Sequence, residues 1–261
     1  MKHGMQKVFA ITLVAMSVGG CVTERTYSGT DTPVAERKFD KVGAARERMQ
    51  LGLTYLNRGN SEQAKYNLNK AVEYAPQMSE VHVAMAYYYQ TVGDLARTEE
   101  SYQRAIVLSD ATGDARNNFG VFLCQQSKFA ESEKMFLAAI NTPKYTRTAS
   151  SYENLGVCSR KAGNKEKARQ YFNMALKYDQ RRKVTLLELT ELAMEDADYG
   201  DAREQLARYH RVVSESAESL ALGIKIEQAA NNTEAVKRFG ILLIAKFPAS
   251  PQAKNYRANL N

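Results

Sequence analysis

Three cysteines and three histidines are the residues of this 261-residue chain whose types could carry metal, redox or covalent chemistry. His3 sits in the basic opening MKHGMQK, while His82 and His210 stand on helical stretches with no second His or Cys at ligand spacing. Zinc needs several N or S donors converging on one point, and neither histidine has a local partner, so no metal site is expected. Carboxylate pairs such as Glu99-Glu100 fall on mixed-charge helical faces, whose ordinary partner is solvent. Phosphate-binding glycine loops, the G-x-S-x-G elbow and the H-E-x-x-H helix are absent from the sequence. No catalytic residue, cofactor or small-molecule substrate is therefore expected, and the chain reads as a non-enzyme.

Cys21 stands in a different context. Lys2 and Lys7 open the chain, VFAITLVAMSV follows as an apolar run, and Gly19-Gly20 supply small residues before the cysteine. This is the order of an export signal, so residues 1–20 are set apart from the fold. VGGC resembles the bacterial lipoprotein signal: a branched apolar residue (Val18), two small residues, then the Cys that receives diacylglycerol and becomes the new N-terminus. That resemblance implies a diacylglycerol and an N-acyl chain, of the palmitate kind, on Cys21. Each buried methylene contributes about 0.8 kcal/mol, and two or more chains anchor a protein stably where one does not. Val22 follows in place of the Asp that marks inner-membrane retention in Gram-negative lipoproteins, so the implied address is the periplasmic face of the outer membrane. Residues 21–43, rich in Thr, Ser, Gly and charge, read as a lipid-anchored flexible linker.

The formal charge of +7 becomes +5 for a chain starting at Cys21, because Lys2 and Lys7 depart and no acidic residue does. The remainder is spread along helices of mixed sign rather than gathered in a basic stripe, so nucleic acid is not an expected partner. Beyond residues 1–20 no window approaches the about 18 uninterrupted apolar residues that cross a bilayer as a helix.

What must position anything else is a repeat. Gly52, Ala86, Gly120, Gly156, Thr190 and Gly223 recur at separations of 34, 34, 36, 34 and 33 residues. Twelve residues on, every position is small: Ala64, Thr98, Ser132, Ala168, Ala202, Ala235. Sixteen on, every one is large and apolar: Leu68, Tyr102, Phe136, Phe172, Leu206, Phe239. Turn-forming pairs separate the halves of each unit: Gly59-Asn60, Gly93-Asp94, Ser127-Lys128, Gly163-Asn164, Ala197-Asp198, Asn231-Asn232. Each unit is a helical hairpin in which small residues let two helices approach. The pattern L-G-x-x-Y…A…F…A…P resembles the tetratricopeptide repeat, which Leu51, Gly52, Tyr55, Ala64, Leu68, Ala71 and Pro76 match nearly completely.

The fold expected is all-α, a right-handed superhelix of six such repeats across residues 44–250, about 45–78, 79–112, 113–146, 149–182, 183–215 and 216–249, with a C-terminal tail at 251–261. The fifth and sixth depart from the pattern at Thr190, Tyr209 and Leu242, and the sixth is expected to act partly as a cap. Cys124 and Cys158 lie in first helices of adjacent repeats, at offsets from Gly120 and Gly156 that differ by two residues. A disulfide and two small buried thiols both stay open, because spacing alone does not set the Cα separation of about 4.4–6.8 Å that a bridge needs.

First helices of such repeats line a concave groove. Along the face i, i+3, i+7, i+10 or i+11, the first three repeats place Met49, Leu53, Leu56, Val83, Tyr87, Asn117 and Val121, an apolar trough with a polar rim. Exposed apolar surface of that extent marks a partner site; cover by the linker or by the superhelix itself is the alternative. In the fourth repeat the stripe turns charged, with Glu153, Arg160 and Lys161.

Lipid signal, spacer and six repeats together, with RNNFGVFLCQQSKFAESEKMF and RFGILLIAKFPASPQA, resemble the type IV pilus biogenesis and stability lipoproteins across essentially the whole chain. That resemblance implies a pilotin: an outer-membrane lipoprotein adaptor that binds the pilus secretin and promotes its localisation and multimerisation. The other reading is a periplasmic repeat lipoprotein that scaffolds outer-membrane protein insertion or cell-wall hydrolases.

Overall fold

The computed structural model describes residues 39–259, so the expected signal at 1–20, Cys21 and the linker up to residue 38 lie outside the described residues. The described fold is the compact unit that begins at Lys41. It contains thirteen α-helices and, among the described residues, no strand. They run as hairpins: α1 (Lys41–Asn57) with α2 (Ser61–Tyr74), α3 (Ser79–Thr91) with α4 (Leu95–Val107), and α5 (Gly113–Gln125) with α6 (Phe129–Ile140). Then follow α7 (Thr148–Lys161) with α8 (Lys165–Tyr178), α9 (Lys183–Glu195) with α10 (Tyr199–Val212), and α11 (Ala217–Ala229) with α12 (Thr233–Lys246); α13 (Pro251–Ala258) closes the series.

Each hairpin turns the same way for the same local reason. The residue before the second helix's cap has a left-handed backbone in all six: Gly59, Gly93, Ser127, Gly163, Ala197 and Asn231, with φ between 56° and 81°. Glycine takes that conformation without Cβ strain, and three turns use it. The next residue then caps the second helix: the side chains of Asn60, Asp94, Asn164, Asp198 and Asn232 each accept a backbone N–H three residues on. In the third repeat Lys128 makes no such bond and instead pairs its ammonium with Glu99 at 2.7 Å.

The small anchors are small because the partner helix's plug sits on them. A Cβ at Gly52 would stand 2.7 Å from Leu68 Cγ, at Gly120 2.8 Å from Phe136, and at Gly223 2.8 Å from Phe239. Leu68, Phe136 and Phe172 are accordingly fully buried. Burial proceeds as a series of local clusters, each shared by neighbouring repeats, which is how a solenoid is stabilised. The wider spacing of 36 between Gly120 and Gly156 is taken up by the connection at 141–147. There Lys144 is left-handed, and Tyr145 lays its ring on Gly113 and hydrogen-bonds Ser151 at 2.8 Å.

Two boundaries differ from expectation. The first helix starts at Lys41, three residues before the expected start of the repeat domain at 44. The stretch 251–261, expected as a tail, carries a helix over 251–258, with Ser250 capping it and Pro251 at its first turn. Ala253 is buried and Tyr256 sits over Gly240, so α13 covers the apolar end of α11 and α12. Capping therefore falls to α13 rather than to the sixth repeat.

Candidate functional site: the groove of the first three repeats

The first helices α1, α3 and α5 lie side by side and line an open groove of about 770 Å³. Its apolar lining comes from Met49, Leu53, Val83, Tyr87 and Val121, five of the seven residues expected there. Tyr87 is the most open, 46% exposed, although its ring is large and apolar. Beneath lies Tyr102 of α4, buried against Phe119 and Phe122 at ring separations of 5.5 and 5.8 Å. Burial pushes its phenol up to about 12, so it stays neutral and acts as floor.

Leu56 and Asn117 are not part of this surface. Leu56, 5% exposed, points into the core against Ala64, Leu68 and Tyr88. Asn117, also 5% exposed, turns toward α7, where its carbonyl oxygen accepts hydrogen bonds from Ser151 Oγ at 2.9 Å and Asn154 Nδ2 at 3.2 Å. Adjacent helical positions differ by about 100° around the axis, so a stripe misread by one residue changes face. Asn57, which lies on the same expected stripe, and Asn118 line the cavity next to these positions. At the rim, Gln90 Nε2 donates to Gln125 Oε1 at 2.9 Å and ties α3 to α5.

The trough ends after Val121. In repeats four and five the corresponding space is occupied by ion pairs: Glu153 takes the Arg182 guanidinium together with Thr185 N and Oγ1. Arg160 reaches Glu188, Glu191 and Glu195 of α9. The apolar trough of the first three repeats thus stops at the fourth, and a separate cavity of about 610 Å³, lined by Ala221, Ile224, Val236 and Tyr256, lies at the α11–α13 end.

Residues 48–78 and 111–181 match the tetratricopeptide repeat model. Over 248 residues, 95% of this chain and 96% of the relative, the sequence is 29% identical to the type IV pilus assembly protein PilF of Pseudomonas aeruginosa. The solved structure of that Pseudomonas aeruginosa protein superposes with a TM-score of 0.69, covering 84% of this chain and 99% of the other. The chain is a tetratricopeptide-repeat homologue of type IV pilus biogenesis proteins. PilW, a widely conserved type IV pilus biogenesis factor, is similar as well: TM-score 0.68, 27% identity, 81% of this chain and 97% of that one. An uncharacterised Haemophilus influenzae protein is 40% identical over 116 residues, 44% of this chain and 65% of the relative.

Within this tetratricopeptide-repeat solenoid, Cys124 of α5 and Cys158 of α7 are joined sulfur to sulfur, with Cα atoms 5.8 Å apart. Their offsets from the anchors differ by two because the bridged residues are 34 apart while Gly120 and Gly156 are 36 apart. Asn117 meets Ser151, also 34 residues on, in the same interface. The bridge therefore ties the repeat that ends the trough to the repeat whose groove is filled with charge.

His82 bonds the Pro76 carbonyl through Nε2 at 2.8 Å, and His210 bonds Ser219 Oγ at 2.9 Å. Both serve local packing. Among the described residues no group of three or more His, Cys, Asp or Glu is placed to hold a metal ion. Nor is any described helix long and apolar enough to cross a membrane.

Proposed function

We propose that this protein is a lipid-anchored adaptor of type IV pilus biogenesis, a pilotin. Its early-repeat groove engages the pilus secretin and promotes the secretin's delivery to, and assembly in, the outer membrane. The observation that carries the reading is the apolar trough of Met49, Leu53, Val83, Tyr87 and Val121, open to solvent in a chain similar over nearly its full length to a pilus assembly protein. A solenoid stabilised by neighbouring repeats has no need of an exposed tyrosine beside half-buried apolar side chains on its concave face. An amphipathic segment supplies the surface that would cover them.

The anchor in this reading is Cys21, carrying diacylglycerol and an N-acyl chain at the periplasmic face of the outer membrane. The protein contributes position and a binding surface rather than catalysis. Leu53→Glu combined with Tyr87→Ala should abolish secretin multimers while circular dichroism shows the helical fold retained. Normal multimers in that variant would remove the groove from the mechanism.

A further inference from the structure

The groove has two unlike rims, and the difference specifies its occupant. Among the described residues two charged side chains line the cavity, Glu80 and Asp114, and both are acids, in a chain whose net charge is positive. They hold the same position in successive repeats, six residues before Ala86 and Gly120, so they stand side by side at the N-terminal ends of α3 and α5. Glu80 is exposed and has no ion-pair partner among the described residues. Asp114 meets Arg147 at 3.1 Å with both side chains about half exposed, an arrangement worth little and readily shared. The residue at the same place in the first repeat, Arg46, does not line the cavity. At the opposite rim stand the uncharged amides Asn57 and Gln90. Glu80 and Gln90 are ten residues apart on α3, about 15 Å along the axis at 1.5 Å per residue.

Between those rims lies apolar floor. A width of about 15 Å admits one α-helix, which measures about 10–12 Å across. Resting on the proposal that this groove is the partner site, we infer that its occupant is an amphipathic helix with an apolar face and Lys or Arg along one edge only. The apolar face lies on Leu53, Val83, Tyr87 and Val121; the basic edge meets Glu80 and Asp114; the other edge, uncharged, meets Asn57 and Gln90. The acids fix which way round the helix lies, because the reversed orientation sets its cations against amides and leaves the carboxylates unpaired.

Two synthetic helical peptides test this. They share one apolar face and a central photoreactive residue, and differ in a single edge that carries either lysines or glutamates. Each is irradiated with the full chain, and crosslinked product is counted. The lysine-edged peptide should be captured about five- to tenfold more at low ionic strength, the order expected of a few half-exposed charge contacts, and the preference should shrink with salt. Glu80→Lys with Asp114→Lys should reverse it. Equal capture of both peptides, with capture still lost in Leu53→Glu, overturns the basic-edge inference and leaves the groove reading standing. Capture undiminished by Leu53→Glu overturns both.

Discussion

Removing the bridge between Cys124 and Cys158 is a perturbation whose size follows from the chain itself. The bridge closes a loop of 34 residues. The entropy such a crosslink removes from the unfolded chain corresponds to about 3.8 kcal/mol at 25 °C. For a folded unit of this size each kcal/mol moves the melting temperature by about 2–4 °C, so Cys124→Ala with Cys158→Ala should melt about 8–15 °C lower. Because neighbouring repeats unfold partly independently, the loss should concentrate at the α5–α7 junction and broaden the transition. Both cysteines are buried, at 8% and 4% exposure, and the Ser132 hydroxyl beside Cys158 keeps its bond to the Gly120 carbonyl at 2.7 Å when alanine replaces the thiol. Calorimetry of parent and variant, each with and without reductant in mild denaturant, reads the difference. Reductant should lower the parent toward the variant and leave the variant unmoved. A parent and variant that melt within 2 °C of each other would refute the assignment of stability to this crosslink.

Three further outcomes follow from particular contacts. Ala197→Gly should raise stability by about 1 kcal/mol, since Ala197 holds a left-handed φ of 56° where other repeats use glycine; equilibrium unfolding in urea checks it. Gly120→Ala should cost about 1–2 kcal/mol, because a Cβ would stand 2.8 Å from the buried Phe136 ring and the gain in helix propensity offsets only about 1 kcal/mol of the overpacking. Desolvation by burial holds the His210 imidazole below its ordinary range, with Lys246 adding to the effect and Glu215 opposing it. A histidine depressed in the fold binds fewer protons than in the unfolded chain, so its contribution is full above the ordinary histidine pKa and is lost as pH falls below it. Urea unfolding at pH 7 and pH 5 should show a loss that shrinks in His210→Gln.

Much of this architecture is legible in the residues, and the exceptions have physical causes. The period, the small anchors and the turn pairs are each imposed by a local constraint repeated six times, so the hairpins and their order follow from composition at fixed offsets. The sequence stripe puts Leu56 and Asn117 on the groove because apolar or polar character does not say which of two neighbouring helical positions faces out. In the structure Leu56 meets the α2 and α3 core, and Asn117 meets Ser151 from the next repeat. That pairing depends on helix rotation, which a one-dimensional stripe does not carry. The charge at Glu153 and Arg160 was visible, but its consequence depended on Arg182 and on three glutamates of α9 arriving opposite them. The helix at 251–258 escaped because it is one short element without the second half of a repeat; the Ser250-Pro251 start signal was its trace in the sequence.

The central claim is that the early-repeat groove binds the pilus secretin, and photocrosslinking in intact cells tests it most directly. A photoreactive residue replaces Tyr87, which lines the cavity and is 46% exposed, and a matched replacement is made at Tyr178, which is exposed at the end of α8 and does not line the cavity. Capture of secretin from position 87 and not from position 178 is the result expected. Capture of a different envelope protein from position 87, or equal capture of secretin from both positions, would contradict it.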